Sequence, residues 1–574
     1  MLKLGVGYES YKRIIDDGCY YVDKTSMIRD IVEKGGMVTL FTRPRRFGKT
    51  LALSMLQTFF EEEYDRDGNP VDKSHYFAGL RIMEAGDRIL NMMGKYPVIM
   101  LSLKSAKQTS FRLAFLKLRD EIVNEIRRHD YLFSSGRLSP EEKKELSKLN
   151  QPVDEREIVS DQELSREVGV YSTALKLLSS CLEKHHGMKT IILLDEYDVT
   201  LENAFYSKFY DEMVGFIRSL FESCLKTNNA LEFAVITGCL RISRESIFTG
   251  LNHLVINSIR EEQFAEGFGF TPQETDIMLE TYGLSDKRSE VQDWYNGYIF
   301  GEKEIFNPWS VIQYIYSHLE NKDRPAEPYW PNTSSNQIIK DLVERSDEKT
   351  KNELDILIRG GTIEKQIHND ITYEDIYKTN DNLWNFLYFT GYLKKISERS
   401  SGNSFYLTMK IPNREIAYIY ENQIREWFDR IIKDADHEAL YRAVLSEDTD
   451  GMEAYMNGLL AKTISTFDSD EGFYHGFFLS LLYGVPHYTP QSNREEGIGR
   501  PDITLYPDRP KDPVIIFEVK TRKKFSEMQD GLEEAFRQIR DKKYREGVVS
   551  DGYIGAVSYG ICFCKKNCVI EKMI

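Results

Sequence analysis

The stretch Val38-Thr39-Leu40-Phe41-Thr42, then Arg43-Pro44-Arg45-Arg46-Phe47, then Gly48-Lys49-Thr50 constrains this chain more than any other. Five β-prone residues run into a short basic loop, and the loop opens a helix-forming segment near Leu51. A strand, a tight turn and a helix N-terminus in that order form a cradle for an anion, because backbone N–H groups and the helix dipole point at it. In such a cradle Lys49 reaches the β- and γ-phosphates of a nucleotide, and the Thr50 hydroxyl is a ligand for Mg²⁺. Arg45, Arg46, Phe47 and Gly48 complete the loop that would face the phosphates. Arg43 stands where the pattern G-x-x-x-x-G-K-[ST] carries its first glycine. A glycine at a strand-to-helix turn also serves as plain backbone punctuation, so a second motif has to decide.

That motif is Thr190-Ile191-Ile192-Leu193-Leu194-Asp195-Glu196-Tyr197-Asp198. Four consecutive aliphatic residues suit a strand buried on both faces of a parallel sheet. The strand ends abruptly in acid, at the edge where open α/β sheets bind ligands. Asp195 is expected to hold Mg²⁺ opposite Thr50, and Glu196 to be the base that polarises the attacking water, with Asp198 the next candidate. A buried strand entering a solvated acidic loop would look the same in isolation; the pairing with Lys49-Thr50 favours a nucleotide site. Leu231-Glu232-Phe233-Ala234-Val235-Ile236-Thr237 reads as a further strand, with Thr237 at its end expected between the first two motifs. Arg241 and Arg244 follow, either stabilising transferred charge or solvated at the surface. With Pro97–Leu103 as another strand, alternation with helix-period segments indicates a doubly wound α/β domain.

Tyr20-Tyr21-Val22-Asp23-Lys24-Thr25, the Arg43–Thr50 loop, Leu194–Asp198 and Ser246-Ile247-Phe248-Thr249-Gly250-Leu251-Asn252 together resemble the bacterial AAA-ATPase-like family. The resemblance continues through Trp294-Tyr295-Asn296-Gly297-Tyr298 and Asn307-Pro308-Trp309-Ser310 to the C-terminus. It implies a P-loop NTPase fold and an arginine-rich loop lacking its first glycine. It also implies that Asp23 and Lys24 lie beside the base or ribose of the nucleotide. ATP is expected over GTP, since no guanine-reading N/T-K-x-D element is apparent and the resemblance agrees.

The C-terminal part carries separate chemistry. Gly499-Arg500-Pro501-Asp502-Ile503-Thr504-Leu505 places an acid at the start of a short strand, and Val514-Ile515-Ile516-Phe517-Glu518-Val519-Lys520 follows a turn. Side chains alternate along a strand, so Glu518 and Lys520 share one face while Phe517 and Val519 pack on the other. Adjacent strands would bring Asp502 and Glu518 together as hard oxygen ligands for Mg²⁺, with Lys520 at the nucleophilic water. This is the P-D…E-x-K pattern of the PD-(D/E)XK nucleases. Upstream, Glu471 opens an apolar helix and is expected to reach the same metal; downstream, Leu532, Ala535, Phe536 and Ile539 recur at helix spacing and set Gln538 and Tyr544 at the edge of the packed face. Nucleases of this class often carry a Gln and a Tyr there. His475 is expected to be a structural hydrogen-bonding residue.

At 574 residues the chain should hold two to four domains. The expected architecture is α/β: a P-loop NTPase doubly wound parallel sheet in residues 1–290, a mostly helical middle over 291–450, and an α/β PD-(D/E)XK-like module over 451–574. Within the middle, Leu383–Phe389 followed by Gly391 and a hairpin turned at Gly402 suggests a winged-helix element. Ser139 before Pro140-Glu141-Glu142 reads as a capped helix start.

Seven scattered cysteines without CxxC pairs fit a reducing cytosol. Cys562, Cys564 and Cys568 are expected to be strand residues rather than a zinc site. No apolar run resembles a signal peptide or reaches membrane-spanning length, so a cytoplasmic protein with no membrane partner is expected. The net charge of −16 excludes a generic basic nucleic-acid coat. Basic residues between Lys520 and Arg545 serve either a local DNA or RNA substrate or an ordinary solvated surface. The expected function is ATP binding and hydrolysis coupled as a switch to a Mg²⁺-dependent nuclease. The competing expectation is a signalling or scaffolding ATPase whose nuclease-like domain only binds a partner. A homo-oligomer is compatible with the sequence, which does not fix its order.

Overall fold

The computed structural model describes residues 2–573 except 66, 151–159, 241–246, 249–250, 252, 331–336, 346, 369–372, 374, 377, 435, 462–470 and 493–500. Two compact units emerge, one of residues 1–335 and 362–419, the other of 336–361 and 420–574, so the middle region is shared between them.

The first unit is organised by a five-stranded sheet of β1 (Val38–Thr42), β2 (Val98–Ser102), β3 (Thr190–Asp195), β4 (Leu231–Gly238) and β5 (Leu254–Asn257). All are parallel, in the order β2-β3-β4-β1-β5. Every residue of β1 and β3 is buried, as continuous apolar strands covered on both faces should be. Parallel strands need crossovers, and helices supply them: Lys49–Phe60 leaves β1, and Ala174–His186, stopped by Gly187 at φ +73°, leads into β3. The order sets β4 between β1 and β3, so its C-terminal end falls between the Arg43–Thr50 loop and the acidic end of β3. The expected helix after Ser139 is Pro140–Leu149, closed by a capping box between Ser139 and Glu142.

Beyond the sheet the same unit carries a small hairpin, β6 (Tyr298–Phe300) with β7 (Lys303–Ile305), and a three-stranded antiparallel sheet in the order β8-β10-β9. Its strands are β8 (Ile363–Gln366), β9 (Lys394–Ser401) and β10 (Ser404–Lys410), the last two joined by Gly402 at φ +59°. The helix Asn380–Phe389 precedes the β9–β10 hairpin, which is the helix-then-wing arrangement expected. The middle region is thus less purely helical than its aromatic helix-period segments suggest.

The second unit contains a mixed sheet, β11 (Tyr488–Ser492), β12 (Ile503–Pro507), β13 (Val514–Thr521), β14 (Ala556–Cys564) and β15 (Asn567–Lys572), in sequence order. Only β13 and β14 run parallel, joined through the helix Met528–Asp541. Alternation decides what each face meets. Phe517 and Phe563 face the helix Glu471–Leu482, against Phe478 at 5.0 Å and Tyr474 at 4.5 Å between ring centroids. Cys562 and Cys564 face Met528 and Leu532 of the other helix, as strand residues. All seven cysteines are buried thiols. Among the described residues no helix is long and apolar enough to cross a membrane.

Leu193, fully buried in β3 between two neighbouring strands, reports on the parallel sheet. Leu193→Ala is expected to destabilise the first unit by about 2–5 kcal/mol, read as a lower calorimetric melting temperature.

Candidate functional site

Gly48 adopts φ +83°, and a Cβ built there would touch nothing among the described residues within 4 Å. Glycine is needed for the backbone angle, which turns the loop into the helix, rather than for space. Lys49 follows as the first helical residue. Its ammonium donates to the carbonyls of Arg43 and Pro44, each at 2.9 Å, and lies 3.5 Å from Cys239 Sγ. The lysine is therefore curled inside its own loop. Thr50 Oγ1 donates to Asp195 Oδ2 at 2.6 Å, and Thr237 Oγ1 donates to Asp195 Oδ1 at 2.5 Å. One carboxylate at the end of β3 thus holds hydroxyls from the loop helix and from β4. Burial raises the Asp195 carboxyl above its ordinary range, and the two hydroxyls oppose that rise.

Glu196 takes the left-handed conformation, φ +51° and ψ +47°, and its backbone N–H donates to Thr237 Oγ1 at 3.3 Å. A non-glycine residue there stores strain of about 1–3 kcal/mol, which its surroundings must hold in place. The turn swings its side chain out of the strand line, where it lies in the field of Arg46 and Lys104.

The three arginines of the loop, Arg45 and Arg46 expected at the phosphates and Arg43 in the place of the first glycine, divide differently. Arg43 is fully buried, donates to the carbonyls of Thr42 (2.9 Å), Asn257 (2.8 Å) and Phe264 (3.4 Å), and lies against the rings of Phe268 and Phe300 at 5.2 and 5.1 Å. In place of the missing glycine it is a buried strut between β1 and the segment after β5, and burial pulls its guanidinium down to about 9. Arg45 pairs with Glu202; burial pulls its guanidinium down, but Glu202 together with Cys239, Tyr373 and Tyr392 more than reverses this and holds it above its usual value. Arg46 lies over the Trp309 ring at 4.3 Å. Phe47 is buried against Tyr298 and Phe300. Asp23 accepts from the backbone N–H and the hydroxyl of Thr25 and from the backbone N–H of Arg81, while Lys24 pairs with Glu274 at 2.6 Å. Both charges are engaged within the fold. Arg241 and Arg244 lie outside the described residues.

Asp198, kept in the sequence only as an alternative base, has a different task. Its Oδ2 accepts the backbone N–H groups of Cys239 at 2.7 Å and Leu240 at 2.9 Å, fixing the chain just beyond Thr237. Burial pushes its carboxyl up to about 6. The close fit requires Gly238: a Cβ there would lie 2.5 Å from the Tyr197 ring and 2.9 Å from Asp198 Oδ1. The sequence signal was an acid three residues after Asp195, in the first turn of the following helix, opposite a Thr-Gly strand end.

The second cluster forms where β12 meets β13. Ile503 pairs with Phe517, so Asp502, one residue before β12, stands across from Glu518. Asp502 Oδ2 accepts the Val519 N–H at 2.8 Å, and its carbonyl meets His475 Nε2 at 2.8 Å, the structural role expected of that histidine. Lys520 Nζ donates to Glu518 Oε1 at 3.1 Å and lies 3.9 Å from Asp502 Oδ2. Glu518 is fully buried, and among the described residues its Oε2 has no hydrogen-bond partner. Burial, reinforced by Asp502, pushes its carboxyl up to about 8. Opposite Glu518 stands Gly560, where a Cβ would crowd Phe536 and Ala535 at 3.1 and 3.3 Å. That glycine lets the helix Met528–Asp541 sit close over the acids and is a residue the sequence reading missed. Gln538 Nε2 lies 3.4 Å from the Tyr544 hydroxyl, and Tyr544 in turn feels the charges of Glu518, Asp502 and Lys520. Glu471 is the first residue of its helix, but its side chain is outside the described set. Among the described residues no three His, Cys, Asp or Glu side chains converge as a metal cluster. The two acids nevertheless suit a hard cation: an orphaned buried carboxylate oxygen and a repelling neighbour are both relieved by positive charge.

Residues 5–248 match the family model described as a predicted AAA-ATPase, and residues 469–573 match that of the PD-(D/E)XK nuclease superfamily. The chain joins an AAA-ATPase-like domain to a PD-(D/E)XK nuclease superfamily domain. It is also similar to a curated protein from Azotobacter chroococcum mcd 1, named as uncharacterized in the vnfD 5' region, at 25% identity over 347 residues. That similarity covers 59% of this chain and 56% of the relative, so the chain spans little more than half of the curated protein's length.

Two outcomes test the site geometry. Arg43→Gly, which restores the usual loop pattern, is expected to cost at least about 3 kcal/mol of stability because three carbonyls lose a buried donor. Glu518→Gln tests the buried acid. A carboxyl held near 8 when folded and at its ordinary value when unfolded binds its proton more tightly in the native chain. With chelator present, wild-type stability therefore falls relative to Glu518→Gln as pH rises from 5 to 8, and the gap stays constant above that. Parallel thermal melts of the two proteins across this range check the sign.

Proposed function

We propose that the N-terminal unit binds and hydrolyses ATP and that the C-terminal domain cleaves nucleic acid, each with Mg²⁺. The observation that carries the first half is the Asp195 carboxylate held between the Thr50 and Thr237 hydroxyls, at the mouth of a Gly48-Lys49 turn. Thr50 and Asp195 would hold the cation, which when bound neutralises charge on the β- and γ-phosphates. Lys49 would exchange its two loop carbonyls for phosphate oxygens, a charge-assisted replacement for neutral acceptors. Glu196, turned out by its left-handed backbone, would accept the proton of the attacking water, while Thr237 fixes both its backbone and Asp195.

In the C-terminal domain Asp502 and Glu518 would hold a divalent cation that supplies Lewis acidity and a nucleophile at neutral pH. Lys520, already within hydrogen-bond reach of Glu518, would orient that nucleophile or stabilise the charge it develops. Gln538 and Tyr544 border the same cluster and would contact the substrate strand. Seven buried thiols suit a reducing cytoplasm. The net charge of −16 favours the alternative of a domain that binds a partner without cleaving. That alternative predicts no cleavage under any condition.

The functions separate by mutation. Lys49→Ala is expected to weaken ATP binding by roughly tenfold or more with the fold intact, since such contacts contribute about 1.5–3 kcal/mol. Glu196→Gln should keep ATP bound and stop turnover. For the nuclease, Mg²⁺-dependent cleavage of single- and double-stranded DNA and RNA should vanish in Asp502→Ala and in Glu518→Ala. In Lys520→Ala metal binding should persist while the rate falls. Cleavage that survives the double acid substitution would rule out this site.

A further inference from the structure

Five side chains form a line of contacts in the first unit, apart from the loop and its acids. Glu62 Oε2 meets His186 Nδ1 at 2.5 Å, and His186 Nε2 meets the Tyr131 hydroxyl at 2.9 Å. The same hydroxyl meets His129 Nδ1 at 2.9 Å, and His129 Nε2 faces Glu125 Oε1 at 3.5 Å. Three helix ends contribute: Glu62 lies two residues beyond the helix Lys49–Phe60, Glu125 and His129 end the helix Phe111–Arg128, and His186 closes Ala174–His186. Both histidine side chains are 4% exposed, so the ring nitrogens depend on these partners.

Four links need four protons. Two ionised carboxylates bring none, two neutral imidazoles bring one each and the tyrosine hydroxyl brings one, leaving the line one short. The geometry shows where the gap falls. With protons in the three short links, His186 Nδ1–H donates to Glu62, Tyr131 donates to His186 Nε2, and His129 Nδ1–H donates to the Tyr131 oxygen. His129 Nε2 is then bare, and it faces the carboxylate at the one long separation. The Glu125 oxygens are already occupied by the Met100 N–H at 2.8 Å and by Arg128 at 2.7 and 2.9 Å.

We infer that this line is a single-proton switch: its three short links already join the ends of three helices, and one added proton at His129 Nε2 closes the fourth link, to Glu125 one turn back on the helix Phe111–Arg128. The charge can then move without moving any ring. Imidazolium His129 passes its Nδ1 proton to Tyr131 as Tyr131 passes its own to His186 Nε2, leaving His129 neutral and His186 charged.

The surrounding groups accept that charge. Glu61 pairs with Arg128, and Glu62 also accepts the Tyr64 hydroxyl at 2.7 Å. Arg137 donates to the His185 carbonyl at 2.6 Å, and His185 Nδ1 meets Ser135 Oγ at 2.8 Å. Three carboxylates (Glu61, Glu62, Glu125) against two guanidinium groups (Arg128, Arg137) leave one negative charge in excess beside the neutral rings. Burial also holds His186 below the ordinary imidazole value, as a neutral resting ring requires.

The test is the tautomer of each ring in the full chain labelled with ¹⁵N-histidine, with His129 and His186 assigned through His129→Gln and His186→Gln. At pH 8 both rings should carry their proton on Nδ1. On acidification the two should respond in one shared step. Tyr131→Phe removes the middle link, so His129 should turn its proton to Nε2, toward Glu125, while His186 keeps Nδ1–H on Glu62. Should Tyr131→Phe not fold, the wild-type tautomers alone decide. An Nε2 proton on either wild-type ring at pH 8, or an unchanged His129 tautomer in folded Tyr131→Phe, would overturn the switch.

Discussion

The Asp195 carboxylate is the interaction on which the first unit depends. It is buried at the end of β3, where an ionised acid is costly, and two threonine hydroxyls meet its oxygens at 2.6 and 2.5 Å. Because Thr50 belongs to the helix leaving β1 and Thr237 to β4, satisfying one carboxylate locks three neighbouring strands into a single edge. Glu196 can occupy a strained backbone position only because that edge is fixed: its N–H is caught by the same Thr237. Asp198 extends the lock one turn further by holding the backbone N–H groups of Cys239 and Leu240.

The Arg43–Thr50 loop is supported from the far side by chain that lies beyond the ATPase-like match at residues 5–248. Phe47 packs against Tyr298 and Phe300, its carbonyl accepts the Gly269 N–H at 3.2 Å, and Arg46 lies on Trp309. Gly391 sits at φ +91°, and a Cβ there would come within 2.9 Å of Pro44. The loop that carries Lys49 is therefore built into the same unit as the β6–β7 hairpin and the start of the wing.

The acid cluster of the C-terminal domain solves a similar problem with the opposite result. Among the described residues Asp195 has two hydroxyl donors, whereas Glu518 Oε1 meets Lys520 and its Oε2 has no partner within hydrogen-bond distance. Its neighbour Asp502 adds repulsion, so the proton is retained to about 8. Positive charge placed beside the pair would relieve both the desolvation and the repulsion.

Much of this was legible in the sequence, and the reasons are local. The apolar run before Asp195, the turn chemistry of Gly48, the capping box at Ser139 and the alternation around Glu518 and Lys520 each follow from the period of the chain and the conformational limits of single residues. Those features determine which residues form strands, which end them and which point together. Tertiary structure decided where the charges went. Arg43 stands in the sequence where the loop pattern carries its first glycine, yet it is buried under Phe268 and Phe300, because the carbonyls of Asn257 and Phe264 that receive it are more than two hundred residues away in the chain. Asp198 became a backbone clamp, and Glu125, His129, Tyr131, His186 and Glu62 became one hydrogen-bonded line, for the same reason. A sequence fixes the donors and acceptors a residue offers; only the packed chain determines which of them meet, because burial makes each partner obligatory and long-range folding supplies it.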